Sequence, residues 1–342
     1  HYERLHRSDA ASGVYFSQKS YYYDDKGRNY LVLTGVDGNW SYSYSRFDSL
    51  GRLHRVDHFW RPKGITDTTS NIWHSFGTIY TYVPNKSFVT AVRDSTGYLW
   101  WSASASDYDA WGRVTKYNYG NGAQTTLGFD SLRPTVLTDI AVKLNGGLGS
   151  TISDYHVNAD ALGNITGRRD MLRGKTESFT YDGLNRLTES RITEGNSDNR
   201  PAESFGYDDF GNFVTRANVG SYSYFQNEST RTHAVTTAGS HTYLYDANGN
   251  VTNRDGSELT WDVSNAPVLL TYGSLWSQFL YDASGNRVIQ VSRENASTKV
   301  VTKKLYLGAI EQEWTTTVPG AGEPAPENWH GWTYTLKQTR VY

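Results

Sequence analysis

The 342-residue sequence contains no cysteine. That removes disulfides, thiolate metal sites and a cysteine nucleophile together, and it suits a chain that passes through an oxidising compartment. Methionine appears once and proline only 8 times. Charge of one sign is missing as well, since 33 Lys and Arg stand against 35 Asp and Glu for a formal net charge of −2. Such a balance exerts no general pull on nucleic acid or an anionic membrane, and no nucleic-acid partner is expected. No apolar run approaches the ~20 residues of a membrane helix, so no membrane span is expected. No signal peptide precedes His1, and the last residues, Lys337-Gln338-Thr339-Arg340-Val341-Tyr342, read as the interior of a strand. Both ends read as cut, and the chain is expected to be a fragment of a longer one.

Aromatic residues and glycine fill the space. There are 26 Tyr, 11 Trp, 12 Phe and 32 Gly. Rings suit a pleated surface and glycine suits turns, so the composition points to strands. Trp40, Tyr42 and Tyr44 alternate with Ser41, Ser43 and Ser45, a strict period of two, and no segment sustains the i, i+3, i+4, i+7 pattern of a helix. The expected class is all-β.

One short pattern recurs: an aromatic residue, Asp, two variable residues, Gly, Arg or Asn, then an apolar residue. It occurs at Tyr23-Asp24 with Gly27, Phe47-Asp48 with Gly51, Tyr108-Asp109 with Gly112, Tyr207-Asp208 with Gly211, Tyr245-Asp246 with Gly249 and Tyr281-Asp282 with Gly285. Tyr181-Asp182 carries Asn185, and Trp261-Asp262 carries Asn265, in the glycine position. Gly and Asn are the residues that tolerate a left-handed backbone. Asp starts a turn by accepting a hydrogen bond from the backbone two residues on. Each copy therefore reads as the tip of a β-hairpin, with its Asp and Gly or Asn as structural turn residues. Asp160 and Asp94 head weaker copies, and Phe129-Asp130-Ser131-Leu132-Arg133-Pro134 predicts a changed turn. A second ring lies two residues before the first in Phe179/Tyr181, Phe205/Tyr207, Tyr243/Tyr245 and Phe279/Tyr281, on the same strand face. A unit near 20 residues leaves two strands of about seven residues, roughly 23 Å each. A lone hairpin of that size is marginal, so hairpins are expected to lie side by side in one sheet.

Chemistry has little purchase on this pattern. An Asp that recurs at every turn repeats one job, whereas a catalytic carboxylate pair is unique. Asp246-Ala247-Asn248-Gly249-Asn250 starts like a calcium loop, yet Val251 and Ser257 stand where such a loop needs Gly and Glu. His54 and His58, four apart on a strand, are ~13 Å apart and cannot share an ion. Gly146-Gly147-Leu148-Gly149-Ser150 is a turn, and no phosphate loop or nucleophile elbow is present. Trp40, Trp60, Trp73, Trp100, Trp101 and Trp111 crowd the first third, where stacked rings offer either cross-strand packing or a sugar platform. No catalytic residue, metal or cofactor is expected.

These residues resemble the YD repeats of Rhs proteins, of Tc-toxin cocoon subunits and of teneurins. Ala234-Val235-Thr236-Thr237-Ala238-Gly239 followed by Tyr243-Leu244-Tyr245-Asp246-Ala247-Asn248-Gly249-Asn250, and Leu305-Tyr306-Leu307-Gly308, are similar to bacterial Rhs sequence in particular. The resemblance runs from about Tyr21 to Tyr306. It implies an array of hairpins in a spiralling sheet that forms a hollow shell or part of one. Residues 1–342 are then a single repeat region, with a long Pro/Gly-rich loop at 318–328. For such a shell, bacterial and secreted or extracellular, the family implies as partners the remainder of the shell, an enclosed C-terminal toxin domain, and secretion-system or Tc-type delivery components. The self-cleavage motif that ends an Rhs shell is absent here. The alternative is an extracellular or cell-surface module that binds glycan or a partner protein; an enzyme acting on polysaccharide ranks third.

Overall fold

The computed structural model describes residues 2–10, 13–61, 74–195, 200–225, 231–318 and 325–342. Trp73 and residues 319–324 of the Pro/Gly-rich loop lie outside them. The chain is all-β, as its period-two patterning implies. Among the described residues the helical segments are three short 3-10 turns, Ala105–Asp107, Asn145–Gly147 and Pro326–Gly331. Two compact units are present, one built from His1–Thr78 with Tyr243–Tyr342 and the other from Ile79–Thr242.

In the first unit, strands consecutive in the chain pair antiparallel. Gly13–Tyr23, Asn29–Val36, Asn39–Phe47 and Leu53–Arg61 form one run. The alternation of rings works as the pattern predicts. Trp40, Tyr42 and Tyr44 sit opposite Gly35, Leu33 and Leu31 on one side, and Tyr42 stacks on Phe59 at 4.4 Å on the other. Gly35 is required at its position, because a Cβ there would lie 2.7 Å from the Trp40 ring. A second run joins Leu275–Tyr281, Arg287–Arg293, Val300–Leu307, Ile310–Thr317 and Thr335–Val341.

The two runs meet face to face, with Asn29–Val36 against Val300–Leu307. Val36 joins Ile289, Val291, Val301, Leu305, Leu307 and Ile310 in a core where each is at most 2% exposed. Burial of such a side chain is worth about 1.5–3 kcal/mol relative to exposure. Ser41 Oγ donates to the Leu307 carbonyl at 2.8 Å, and Lys303 pairs with Asp37, so polar contacts pin the same interface. The end of the expected loop departs from the sequence reading. Pro326 opens a 3-10 turn, where its fixed φ and missing N–H cost nothing. That turn drops Trp329 into the core, its Nε1 donating to Gln278 Oε1 at 2.7 Å.

The second unit is also a meander of consecutive antiparallel strands, from Val89–Asp94 through Lys116–Tyr119, Gln124–Phe129, Leu137–Lys143 and Thr151–Ala159 to Gly220–Tyr224 and Val235–Ala238. Its core is thin. The buried apolar side chains described there are Val83, Ala91, Ala103, Ala123 and Ala238, all small. Rings take over the packing, with Phe88 stacked on Tyr108 at 4.6 Å and Tyr207 on Phe213 at 5.0 Å. Such ring pairs add roughly 0.5–1.5 kcal/mol each beyond their burial.

Candidate functional site

The recurring turn is the one constellation the sequence singles out, and its geometry repeats from copy to copy. In the turns headed by Asp24, Asp48, Asp109, Asp182, Asp208, Asp246, Asp262 and Asp282, the Asp N–H donates to the carbonyl four residues on, and the residue three on donates to the Asp carbonyl. Oδ1 of each Asp accepts from the N–H groups two and four residues later, at 2.8–3.0 Å. The residue three on is left-handed every time: φ is +74° at Gly27, +81° at Gly51, +79° at Gly112, +85° at Gly211, +87° at Gly249 and +79° at Gly285, and +61° and +59° at Asn185 and Asn265. This is a β-turn closed by a left-handed residue, a three-residue hairpin loop.

The weaker copies at Asp94 and Asp160 make the same turn, with Gly97 and Gly163 left-handed. Asp130 does not. Its Oδ1 accepts from Leu132 and Arg133, and its own N–H reaches Val136, a wider loop forced by Arg133-Pro134 in place of a glycine. Asp170, which the sequence reading passed over, holds Leu172 and Arg173 in the Asp130 manner.

The second carboxylate oxygen binds the residue four on. Arg28, Arg52, Arg113 and Arg186 donate to it at 2.6–2.7 Å, and Asn212 and Asn250 at 2.9 Å. These bonds have an electrostatic signature. At Asp182 the Arg186 backbone N–H and then, against a desolvation that raises it, the Arg186 side chain hold the carboxyl below its ordinary range. At Asp246 the Asn250 side chain and backbone do the same. With their oxygens turned to N–H donors, these carboxylates are tied to the loop. Among the described residues no group of three His, Asp or Glu is arranged to hold a metal ion.

Contacts between hairpins follow an equally regular scheme, and the sequence reading missed it. In four copies the polar atom of the ring before Asp donates to a carbonyl of the preceding hairpin, that of the fifth residue after the preceding Asp, whereas Tyr108 donates instead to the Val89 carbonyl at 2.6 Å, ahead of the Asp94 turn. Tyr181 reaches Ile165 at 2.7 Å, Tyr207 reaches Leu187 at 2.8 Å, Trp261 Nε1 reaches Val251 at 2.7 Å and Tyr281 reaches Pro267 at 2.8 Å. That acceptor residue pairs with the ring before its own Asp, and the register then slips by one, as in Tyr245↔Val251 followed by Leu244↔Asn253. The slip is a β-bulge, which interrupts the ladder beside the acceptor carbonyl.

Where the ring is phenylalanine and has no donor, the arginine of the preceding turn lies over it: Arg28 is 4.3 Å from the Phe47 centroid, and Arg113 is 3.8 Å from that of Phe129. The two Asn-for-Gly replacements also acquire a reason. Asn185 and Asn265 accept from Asn164 and Asn250 of the preceding turns at 2.9 and 2.8 Å. A hidden repeat appears too. Tyr224 donates to the Phe213 carbonyl at 2.9 Å, the same bond in the same place, although Phe225 stands where Asp is expected. The Tyr222/Tyr224 spacing is the signal that would have revealed it.

The remaining candidates pack against their neighbours or face solvent. His58 bonds Ser43 Oγ at 2.7 Å and burial pushes its pKa down, while His54 is exposed. Trp60 stacks on His74, and Trp101 tilts against Tyr117. Trp100 and Trp111 are exposed.

No family model matches this chain, and no curated protein matches it. Solved structures do. The structure of TcdB2-TccC3 superposes with a TM-score of 0.53 at 13% identity, over 89% of this chain and 20% of that one. TcdB2-TccC3-Cdc42 gives 0.52 at 14%, over 88% and 20%. The Tc holotoxin pore of Photorhabdus luminescens, carrying a substituted TccC3, gives 0.52 at 14%, over 89% and 19%. The chain thus spans about a fifth of the length of these three solved chains, and what it shares with them is the fold.

Proposed function

We propose that this chain is a length of wall, a single YD-repeat region of an Rhs- or Tc-type toxin shell that encloses and sequesters a C-terminal toxic domain. The observation that carries the reading is the repeated seam. Tyr181, Tyr207, Trp261 and Tyr281, each the ring before an Asp, are bonded to the hairpin before it, so the turn builds the hairpin and the ring joins it to the array. A fold in common with TcdB2-TccC3 over nearly the whole chain supports the same reading. The partners are the rest of the shell, the enclosed domain and the machinery that delivers it. The location is outside a bacterial cell. The role is not enzymatic: the Asp residues do one thing many times, which is the mark of a structural position.

The test is the full-length protein from which this segment comes. Low-resolution imaging is expected to find a hollow particle, and limited proteolysis to leave the region downstream of the repeats uncut. An open, extended array with a protease-sensitive downstream region would overturn the reading and favour a surface module for glycan or protein instead.

A further inference from the structure

The first unit contains a cavity of about 240 Å³ that the wall reading does not use. It is bounded by Gln18 and Lys19, by Thr34 to Val36, by the Asp282 turn with Arg287, and by Tyr306 and Gly308. At ~30 Å³ per water, the space holds about eight waters. Two cations face it. Neither Lys19 nor Arg287 has a carboxylate within ion-pair reach among the described residues, which separates them from Arg28, Arg52, Arg113 and Arg186 with their Asp partners.

Rings lie beside both cations, and Arg287 is itself exposed at the mouth of the cavity. Arg287 lies 4.9 Å from the Tyr306 centroid and 5.5 Å from that of Phe279, and Lys19 lies 5.5 Å from that of Tyr21. A guanidinium held against a ring still offers its N–H edge. The acid on the rim, Asp282, is turned inward: Oδ1 takes the N–H groups of Ser284 and Asn286 at 2.8 and 2.9 Å, and Oδ2 takes Asn286 Nδ2 at 3.2 Å. The floor is firm, because Thr34, Val36 and Val288 are all buried.

We propose that this cavity is an oxyanion site that takes a phosphate group, with Arg287 and Lys19 as its charged contacts and the Thr34 hydroxyl as a neutral donor. A planar guanidinium matches two oxygens of a tetrahedral oxyanion, and an ammonium supplies a point charge beside it. The volume admits inorganic phosphate or a phosphate monoester with a short polar substituent. This proposal is independent of the shell reading and survives its failure.

Titration of the folded chain with inorganic phosphate, followed by isothermal calorimetry at low ionic strength, tests it. Saturable one-to-one binding is expected, weakening as sodium chloride is added. The pair Lys19→Gln with Arg287→Gln is expected to lose at least ~tenfold in affinity, while Arg287→Lys loses less because it keeps the charge. Should the double variant fail to fold, Lys19→Gln alone and the salt series on the unsubstituted chain carry the test. Glycerol 3-phosphate, a monoester with a short polar substituent, separates a monoester from free phosphate as the ligand, since the one bound more tightly identifies the source. Absence of saturation, or binding untouched by the substitutions and by salt, overturns the site.

Discussion

Each residue of the repeat has a task that its chemistry explains. The glycine three after Asp has open space around it at Gly249 and Gly285, with nothing within 4 Å of an added Cβ, so only the backbone demands it. Gly249→Ala and Gly285→Ala are each expected to cost about 1–2 kcal/mol of stability, read by urea denaturation, through left-handed strain alone. The carboxylates have a pH signature. Asp182 and Asp246 have folded pKa values below the unfolded one, so they bind protons less readily when folded. Their contribution is present above the unfolded pKa near 4 and is lost as pH falls through the folded value. The denaturation midpoint is expected to hold from pH 7 to 5 and to drop below pH 4, and Asp182→Asn is expected to flatten part of that drop. A catalytic reading predicts otherwise: one Asp variant would abolish an activity and leave the fold intact.

At the scale of the hairpin, the turn was legible in the sequence and the seam was not. Turn chemistry is local, and Asp, Gly and Asn announce it within five residues. The seam joins residues that only the sheet brings together, such as Tyr281 and the Pro267 carbonyl fourteen positions away. Tyr281→Phe is expected to cost about 0.5–1.5 kcal/mol, the net worth of one hydrogen bond, with the ring still packed. Tyr222 and Tyr224 make the same point, because a repeat that kept its ring and lost its Asp was invisible to a search anchored on Asp. The 3-10 turn at Pro326 escaped for another reason. A Pro/Gly-rich stretch reads as loop, and the burial of Trp329 that orders its end depends on the core beneath it.

The two units differ as wholes. The first assembles both ends of the sequence around aliphatic side chains, a discontinuity that no shift in composition signals. The second relies on ladders, rings and small buried alanines. Amide exchange measured by mass spectrometry is expected to be slow for Val288 to Val291 and Val301 to Ile310, and faster through most of Ile79–Thr242. Equal protection in both would mean that the thin unit is sealed by something other than its own side chains.

Because the seams at Tyr181, Tyr207, Trp261 and Tyr281 use the same donor position and the same acceptor position, the hairpins they join are interchangeable parts. Removal of residues 166–187, one full unit of 22 residues from the spacing of Asp160 and Asp182, would leave the Tyr207 hydroxyl facing Ile165 in place of Leu187, an equivalent carbonyl. Such a chain can grow or shrink by whole courses, like masonry, without re-cutting the stones on either side.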